Sequence, residues 1–347
     1  MILKQNSKIP LDRFIHKALY EKNKGYYMNN NPFGIEGDFI TSPNISIMFS
    51  EMISIWLISF WEKIGRPKNL NIIELGAGNG EMMLQIINTT NNFEDFRSSS
   101  NFFIYEKSPY LKKLQKNKIK FNNIKWINNL NKISKFPSIF IANEFFDSLP
   151  IKQFIKKKNN WFEKYIINEK HSLKFFEKKI KKKIIEKLID QKIPKYQKFI
   201  EYSPIANKKL ITISKIIKKY NGGILIIDYG YEDKRMFDTL QSVKKHKKNS
   251  FLNNIYKADI THLLNFSFFK KKAKDLKFDS VKLTTQRDFL LKMGILERAE
   301  IISKNLSFNK KSNVYFRVKR LIDKNQMGTL FKVLFATKKK NNFNLGF

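Results

Sequence analysis

The sequence predicts an α/β protein built on a parallel, doubly wound sheet, with an N-terminal helical and loop extension and an inserted antiparallel β-meander plus helices. Three observations carry this. From Asn71 to Leu149, short apolar runs bounded by turn residues alternate with helix-period segments, the pattern of βαβ units. Between Ile151 and Glu177 the period switches to three β-type runs separated by Asn- and Lys-rich turns, which reads as a meander. The α/β alternation then resumes with "SPIANKKLITISKIIKKY" and "GGILIIDYG".

Four sections follow: 1–68, 69–150, 151–202 and 203–347. In the first, "PLDRFIHKALY" is helix-like and "GYYMNNNPFGIEGDFITSP" loop-like. "NISIMFSEMISIWLISFWEKI" is a long apolar helix, with Asn44 and Ser46 as candidate caps. In the second, "NIIEL", "NFFIYE", "NIKWIN" and "SIFIAN" are strands, "GEMMLQIINT" and "SPYLKKLQKNKI" are helices, and "EFFDSL" is a short helix. The third holds the meander and a lysine-rich helix from Lys178 to Lys192. The fourth continues with "DITHLLNFSFFKKKAKDL" as helix, "FDSVKLT" as strand, "TQRDFLLKMGI" as helix and "TLFKVLFATKK" as final strand. "KKHKKNS" is an exposed loop.

Composition narrows the function classes. Cysteine is absent, which removes disulfides, thiolate metal sites and cysteine nucleophiles. Four scattered histidines add no metal-ligand spacing, so no metal is expected. The formal charge is +37, yet only eight of the 67 basic residues are arginine. Asn, Ile, Phe and Lys, all encoded by AT-rich codons, are used heavily together, so most of the charge reads as solvated lysine from an AT-rich bacterial genome. Nucleic-acid readers lean on the arginine fork, and a nucleic-acid partner is not expected. No apolar run reaches the ~18 residues of a membrane span, and the N-terminus lacks signal-peptide and transit-peptide features. A soluble, cytoplasmic protein is expected.

The chemistry begins at "NIIELGAGNGEMMLQII". Gly76, Gly78 and Gly80 follow a buried strand and open a helix, which lets the backbone turn sharply against a ligand beside free N–H groups. A dinucleotide fingerprint needs glycine where Glu81 stands, and a carboxylate there repels a pyrophosphate. With Glu74 two residues before Gly76, the E-x-G-x-G-x-G form resembles the first motif of S-adenosylmethionine-dependent methyltransferases, whose cofactor carries a cationic sulfonium. Glu106 ends the next strand, 26 residues after Gly80, where an acid can accept both ribose hydroxyl hydrogens.

Further segments match one family in order: "GYYMNNNPFGIEGDFITSPNIS", "IIELGAGNGEMM", "YEKSPYLKKLQ", "IANEFFDSLPIKQF", "LIIDYG", "DITHLLNFS", "TTQRDFLLKMGI" and "MGTLFKVL". Together, from about Leu11 to Leu334, they resemble the MidA-type methyltransferases, which include the mitochondrial complex I assembly-factor methyltransferase. The resemblance implies a Rossmann-like, seven-stranded methyltransferase core with S-adenosylmethionine as cofactor. It also implies a protein arginine as methyl acceptor, in the mitochondrial case on a core complex I subunit. Asn44 stands where the family commonly has glutamate, so no acid role is assigned there.

An arginine acceptor is cationic and a poor nucleophile, with a pKa above ~12. Carboxylates must hold its guanidinium and take a proton as the new C–N bond forms. Glu144 and Asp147 follow Asn143 at the carboxyl edge of the fourth strand, three residues apart, so a helical turn puts them on one face. Glu144 is the candidate grip on the guanidinium, with Asp147 assisting or accepting the proton; Asp147 also suits a cap or a lysine salt bridge. The cofactor set is Glu74, Gly76, Gly78, Gly80, Glu106 and Asn143. Asp228 either lines the acceptor pocket or holds the following turn. Asp38, Thr41 and Ser42 lie in a loop that can fold over the cofactor as a lid. His262, on an apolar helix face, reads as a core residue; the resemblance makes it a pocket candidate. An RNA methyltransferase and a non-catalytic, cofactor-binding assembly chaperone are the alternatives. The first lacks an Asn-Pro-Pro-aromatic motif after the fourth strand; the second would use the 151–177 meander as its partner surface.

Overall fold

A computed structural model describes residues 2–30, 32, 41–338 and 342–347. Its central sheet contains β1 (Leu70–Leu75), β2 (Ser100–Tyr105), β3 (Ile124–Ile127), β4 (Ser138–Asn143), β5 (Gly222–Tyr231), β6 (Ser280–Thr285) and β7 (Phe331–Thr337). The order across the sheet is β3-β2-β1-β4-β5-β7-β6, with the short strand Leu264–Asn265 added on β5. This is the seven-stranded, Rossmann-like core that the resemblance implies. β1 to β5 pair in parallel. The sheet is not wholly parallel: β7 runs antiparallel to both β5 and β6. The cause is the connection. After β6 the chain runs through helices Gln286–Lys292, Ile295–Ser303 and Phe308–Ile322 and re-enters the sheet from the edge it left, so the last strand must point the other way.

Side chains alternate between two cores, as a pleated strand requires. Phe102 and Ile104 of β2 join the layer with Phe49, Trp56 and Met83, whereas Phe103 and Tyr105 join Leu210 and Ile213 on the opposite face. Helix Ile47–Lys63 supplies much of the first layer and is apolar around most of its surface because it is buried. The Ser46 side chain caps it, accepting from Met48 N–H at 3.2 Å, a contact that contributes about 1 kcal/mol. Asn44 lies in the preceding short turn Ser42–Ile45 instead.

The meander forms as strands Lys152–Lys157, Asn160–Glu169 and Ser172–Ile180. It recruits Lys8–Pro10 from the N-terminal extension and Phe199–Tyr202 into a five-stranded sheet. Because the last meander strand pairs as far as Ile180 with Trp161, the lysine-rich helix is shorter than expected, Lys182–Ile189. "KKHKKNS" is the exposed tip of a hairpin in a three-stranded sheet of Gln241–Lys244, Lys247–Lys248 and Asp259–Thr261.

One predicted helix does not form and another starts late. Glu144 adopts a left-handed φ of 49°, and residues 144–149 make a turn whose Phe146 and Asp147 N–H groups donate to Asp228 Oδ2 at 3.0 and 3.3 Å. "DITHLLN" is extended: Asp259–Thr261 pairs with Gln241–Val243, and Leu263 N–H donates to Thr239 Oγ1 at 2.9 Å. The helix begins only at Phe266, capped by Asn265. Among the described residues, no helix is long and apolar enough to cross a membrane.

Candidate active site

The sheet order reverses between β1 and β4, the switch point at which open α/β folds bind ligands outside the carboxyl strand ends. A cavity of about 450 Å³ lies there. Its sheet side carries Gly76, Gly78, Glu106, Glu144 and Asp147. The opposite wall comes from Tyr20 and Tyr27 of the N-terminal extension and from Asp259 and Thr261 of the small sheet.

The glycine turn is built as the sequence requires. Gly76, Gly78 and Gly80 have φ of 68°, 54° and 80°, a region that costs an L side chain about 1–2 kcal/mol. Gly76 has a second constraint: a Cβ there would sit 2.7 Å from Phe145 Cδ2. Gln115 ties the turn to the neighbouring strand end, donating to Gly78 O at 2.8 Å and to Glu106 Oε2 at 3.3 Å, and the Gln115 Oε1 accepts from Trp126 Nε1 at 3.0 Å. Glu106 Oε1 accepts the N–H groups of Lys107 and Ser108 at 2.8 and 2.9 Å. Burial raises its pKa, and these hydrogen bonds oppose the rise. Glu74 is buried beneath the turn, its pKa pushed up to about 8 by burial and then by Glu106. Its Oε2 has no hydrogen-bond partner among the described residues.

The second group of carboxylates stands at the end of β4. The Glu144 N–H donates to Ile227 O at 2.9 Å, which fixes the residue in its strained backbone position. Its Oε1 accepts from Ser42 N–H at 3.3 Å and Asn143 Nδ2 at 3.2 Å. Burial raises Glu144 to about 7, against the Ser42, Asn143 and Tyr229 hydrogen bonds. Asp147 is raised well above the ordinary carboxylate range, first by burial and then by Asp228, Glu144 and Asp259. Its buried Oδ1 has no hydrogen-bond partner among the described residues. The turn, rather than a helix, brings Glu144 and Asp147 to one cavity.

Other candidates lie elsewhere. Asp228 is fully buried and does not line the cavity. It accepts backbone N–H groups from Phe146, Asp147 and Tyr229, and so holds the turn that carries Asp147. His262 is behind that turn. Its N–H donates to Asp147 O at 3.1 Å, and its ring lines a separate cavity of about 40 Å³. Burial lowers its pKa to about 4, so it is neutral. Thr41 reaches the cavity wall; Asp38 lies outside the described residues. Asn143 lies beside the cavity rather than in its wall, and its Oδ1 has no hydrogen-bond partner among the described residues.

Three features were missed in the sequence. Asn44 donates to Thr41 Oγ1 at 2.6 Å and accepts from Asn79 of the glycine turn at 2.8 Å, joining the N-terminal loop to that turn. Asp259 accepts from Tyr27 OH at 2.8 Å within the cavity wall away from the sheet; it sits in the "DITHLL" signature, but the helical reading hid its direction. Lys209 donates to Tyr105 OH at 2.5 Å, and burial followed by Lys107 lowers it to about 8. Among the described residues no three His, Asp or Glu side chains are arranged to hold a metal ion.

The arrangement fits S-adenosylmethionine. Open glycine backbone meets a cavity bounded by Glu106, which suits a ribose, and by carboxylates that suit a cationic centre. Comparison with known proteins agrees. The family model described as "Putative S-adenosyl-L-methionine-dependent methyltransferase" matches residues 52–284, more than half of the chain. The mitochondrial protein arginine methyltransferase NDUFAF7 of Xenopus tropicalis is 28% identical over 362 residues, covering 95% of this chain and 82% of its own length. The Danio rerio protein of that name is 28% identical over 349 residues, covering 93% and 82%. A Burkholderia thailandensis protein solved with S-adenosyl-homocysteine bound shares the fold at TM-score 0.81 and 18% identity, covering 98% of this chain and 90% of that one.

Proposed function

Because the chain belongs to the MidA-type family of S-adenosylmethionine-dependent methyltransferases, we propose that it methylates an arginine of a protein substrate linked to respiratory complex I assembly. The observation that carries this reading is a cluster of carboxylates in the cavity of a strongly basic chain. Glu106, Glu144, Asp147 and Asp259 all line it, while the chain as a whole has a charge of +37. Burial raises Glu144, and burial together with the neighbouring carboxylates raises Asp147, so a cation beside them is favoured. A guanidinium supplies that cation, with N–H donors for the carboxylates that line the cavity. The printed names of the curated relatives support arginine as the acceptor.

In this reading Gly76, Gly78 and Glu106 meet the cofactor within 69–150, Glu74, Gly80 and Asn143 support them from behind the wall, and Thr41 borders the cavity from the N-terminal section. S-adenosylmethionine supplies an activated methyl group on a sulfonium. Glu144 would grip and orient the acceptor guanidinium in the cavity. Asp147 would accept the proton that the acceptor nitrogen must give up on methylation. Tyr27 and Asp259 close the cavity on the side away from the sheet, where the substrate chain enters.

Mass spectrometry of complex I subunits from cells with and without the gene tests the proposal. A methylarginine lost with the gene supports it and names the substrate. Unchanged arginines on every subunit overturn the complex I assignment.

A further inference from the structure

Away from the cavity, helices Ile295–Ser303 and Phe308–Ile322 present an apolar groove to solvent. Leu296, Phe308, Tyr315 and Phe316 line it, with Lys311 and Lys319 among its other walls and Asp323 at its end. Phe308 is 83% exposed and Phe316 71% exposed, values that leave most of both aromatic side chains in water. Only Val318 and Leu321 of the second helix are buried. Contiguous exposed apolar surface of this kind marks a binding face.

The charge around the groove says what it binds. Helix Phe308–Ile322 carries Lys310, Lys311, Arg317, Lys319 and Arg320 and no acid. Although arginine is scarce in the chain, four of its eight arginines (Arg287, Arg298, Arg317 and Arg320) fall within residues 287–320. Arg298 is spent on Glu51, at 2.7 Å, and Arg287 donates to Ile322 O at 2.7 Å. Arg317 and Arg320 remain on the exposed surface. A second copy of this chain would set like charge against like charge across a two-fold axis, which disfavours self-association. Aliphatic Leu296 beside the rings gives little to a nucleic-acid base, which stacks on flat aromatic faces.

We propose that this face docks on an anionic lipid surface, with Phe308 and Phe316 entering the boundary between headgroups and acyl chains. The basic side chains of the same helix lie at the level of the lipid phosphates. This is the physics of a monotopic amphipathic helix: apolar burial and electrostatic attraction act together, and neither alone holds the protein. The chain thereby lies on a membrane rather than spanning it. The contact is independent of the active-site reading, because none of its residues lines the catalytic cavity.

The test is co-sedimentation of the full chain with vesicles of phosphatidylcholine, with and without one third phosphatidylglycerol, at low and high salt. The expected result is binding to the anionic vesicles only, weakened by salt. Phe308→Ala/Phe316→Ala lowers binding about tenfold or more, and Arg317→Gln/Arg320→Gln lowers it about tenfold or more at low salt. S-adenosylmethionine affinity is unchanged in both, which shows that the variants are folded. Equal binding to neutral vesicles, or phenylalanine variants that bind as tightly as the wild type, would overturn the proposal. So would variants that lose RNA binding or dimerisation while the wild type ignores vesicles.

Discussion

Replacing Gly76 by alanine tests the glycine turn through two separable costs. The backbone there has φ of +68°, which disfavours alanine by about 1–2 kcal/mol. The new Cβ would also meet Phe145 Cδ2 at 2.7 Å. Phe145 cannot yield freely, because its ring packs edge-on against Tyr105 and Phe146 with centroids at 6.3 and 5.2 Å. Forcing such a contact costs about 1–3 kcal/mol more. Gly65 is the control: its φ is +96°, with nothing within 4 Å of a built Cβ, so alanine there carries the backbone cost alone. Thermal unfolding should rank the proteins wild type, Gly65→Ala, then Gly76→Ala. Titration calorimetry should show S-adenosylmethionine affinity unchanged in Gly65→Ala and lowered more than about tenfold, or 1.4 kcal/mol, in Gly76→Ala. Wild-type affinity in Gly76→Ala would refute the placement of the cofactor on this turn.

Three further outcomes follow from the same geometry. Glu144→Gln should lower the rate of methyl transfer by about 10²-fold or more while cofactor affinity stays within about threefold, since Glu144 is placed on the acceptor; single-turnover rates and calorimetry separate the two. Glu74 is raised from 4.5 to about 8 in the folded protein. The native state therefore holds a proton that the unfolded state has released between those values, and Glu74 makes stability fall as pH rises through that window. Denaturant titrations of wild type and Glu74→Gln from pH 5 to 9 should show the variant gaining on the wild type with pH, by at least about 1 kcal/mol at pH 8; a pH-independent difference would contradict the buried, raised carboxyl. Asp228→Ala leaves three backbone N–H groups without their acceptor and should cost about 2–4 kcal/mol, with methyl transfer falling because Asp147 loses its seat; circular dichroism melts and rate measurements check both.

The parallel half of the fold was legible because its strands are short apolar runs and its helices are periodic. The glycine turn was legible because few structures need left-handed φ at alternate positions beside a strand end. What the sequence hid were places where tertiary partners override local preference. "EFFDSL" has helical composition, but Asp228, distant in sequence, takes the N–H groups of Phe146 and Asp147. "DITHLL" looks like the start of the following helix, yet Asp259–Thr261 pairs with Gln241–Val243. That pairing turns Asp259 toward the cavity and leaves His262 behind it. The direction of β7 depends on where intervening helices return the chain, which no local pattern records. The position of Glu144 and Asp147 after β4 signalled that they share one edge, although a turn rather than a helix brings them to the cavity.

The most direct test of the central claim is transfer from S-adenosylmethionine carrying an isotope-labelled methyl group. Purified wild type and Glu144→Gln would be incubated with protein extract from cells lacking the gene, and the labelled protein hydrolysed to amino acids. The account predicts label recovered as methylarginine with the wild type and about 10²-fold less with the variant. Label recovered only in other amino acids or in nucleic acid, or equal methylarginine from both proteins, would contradict it.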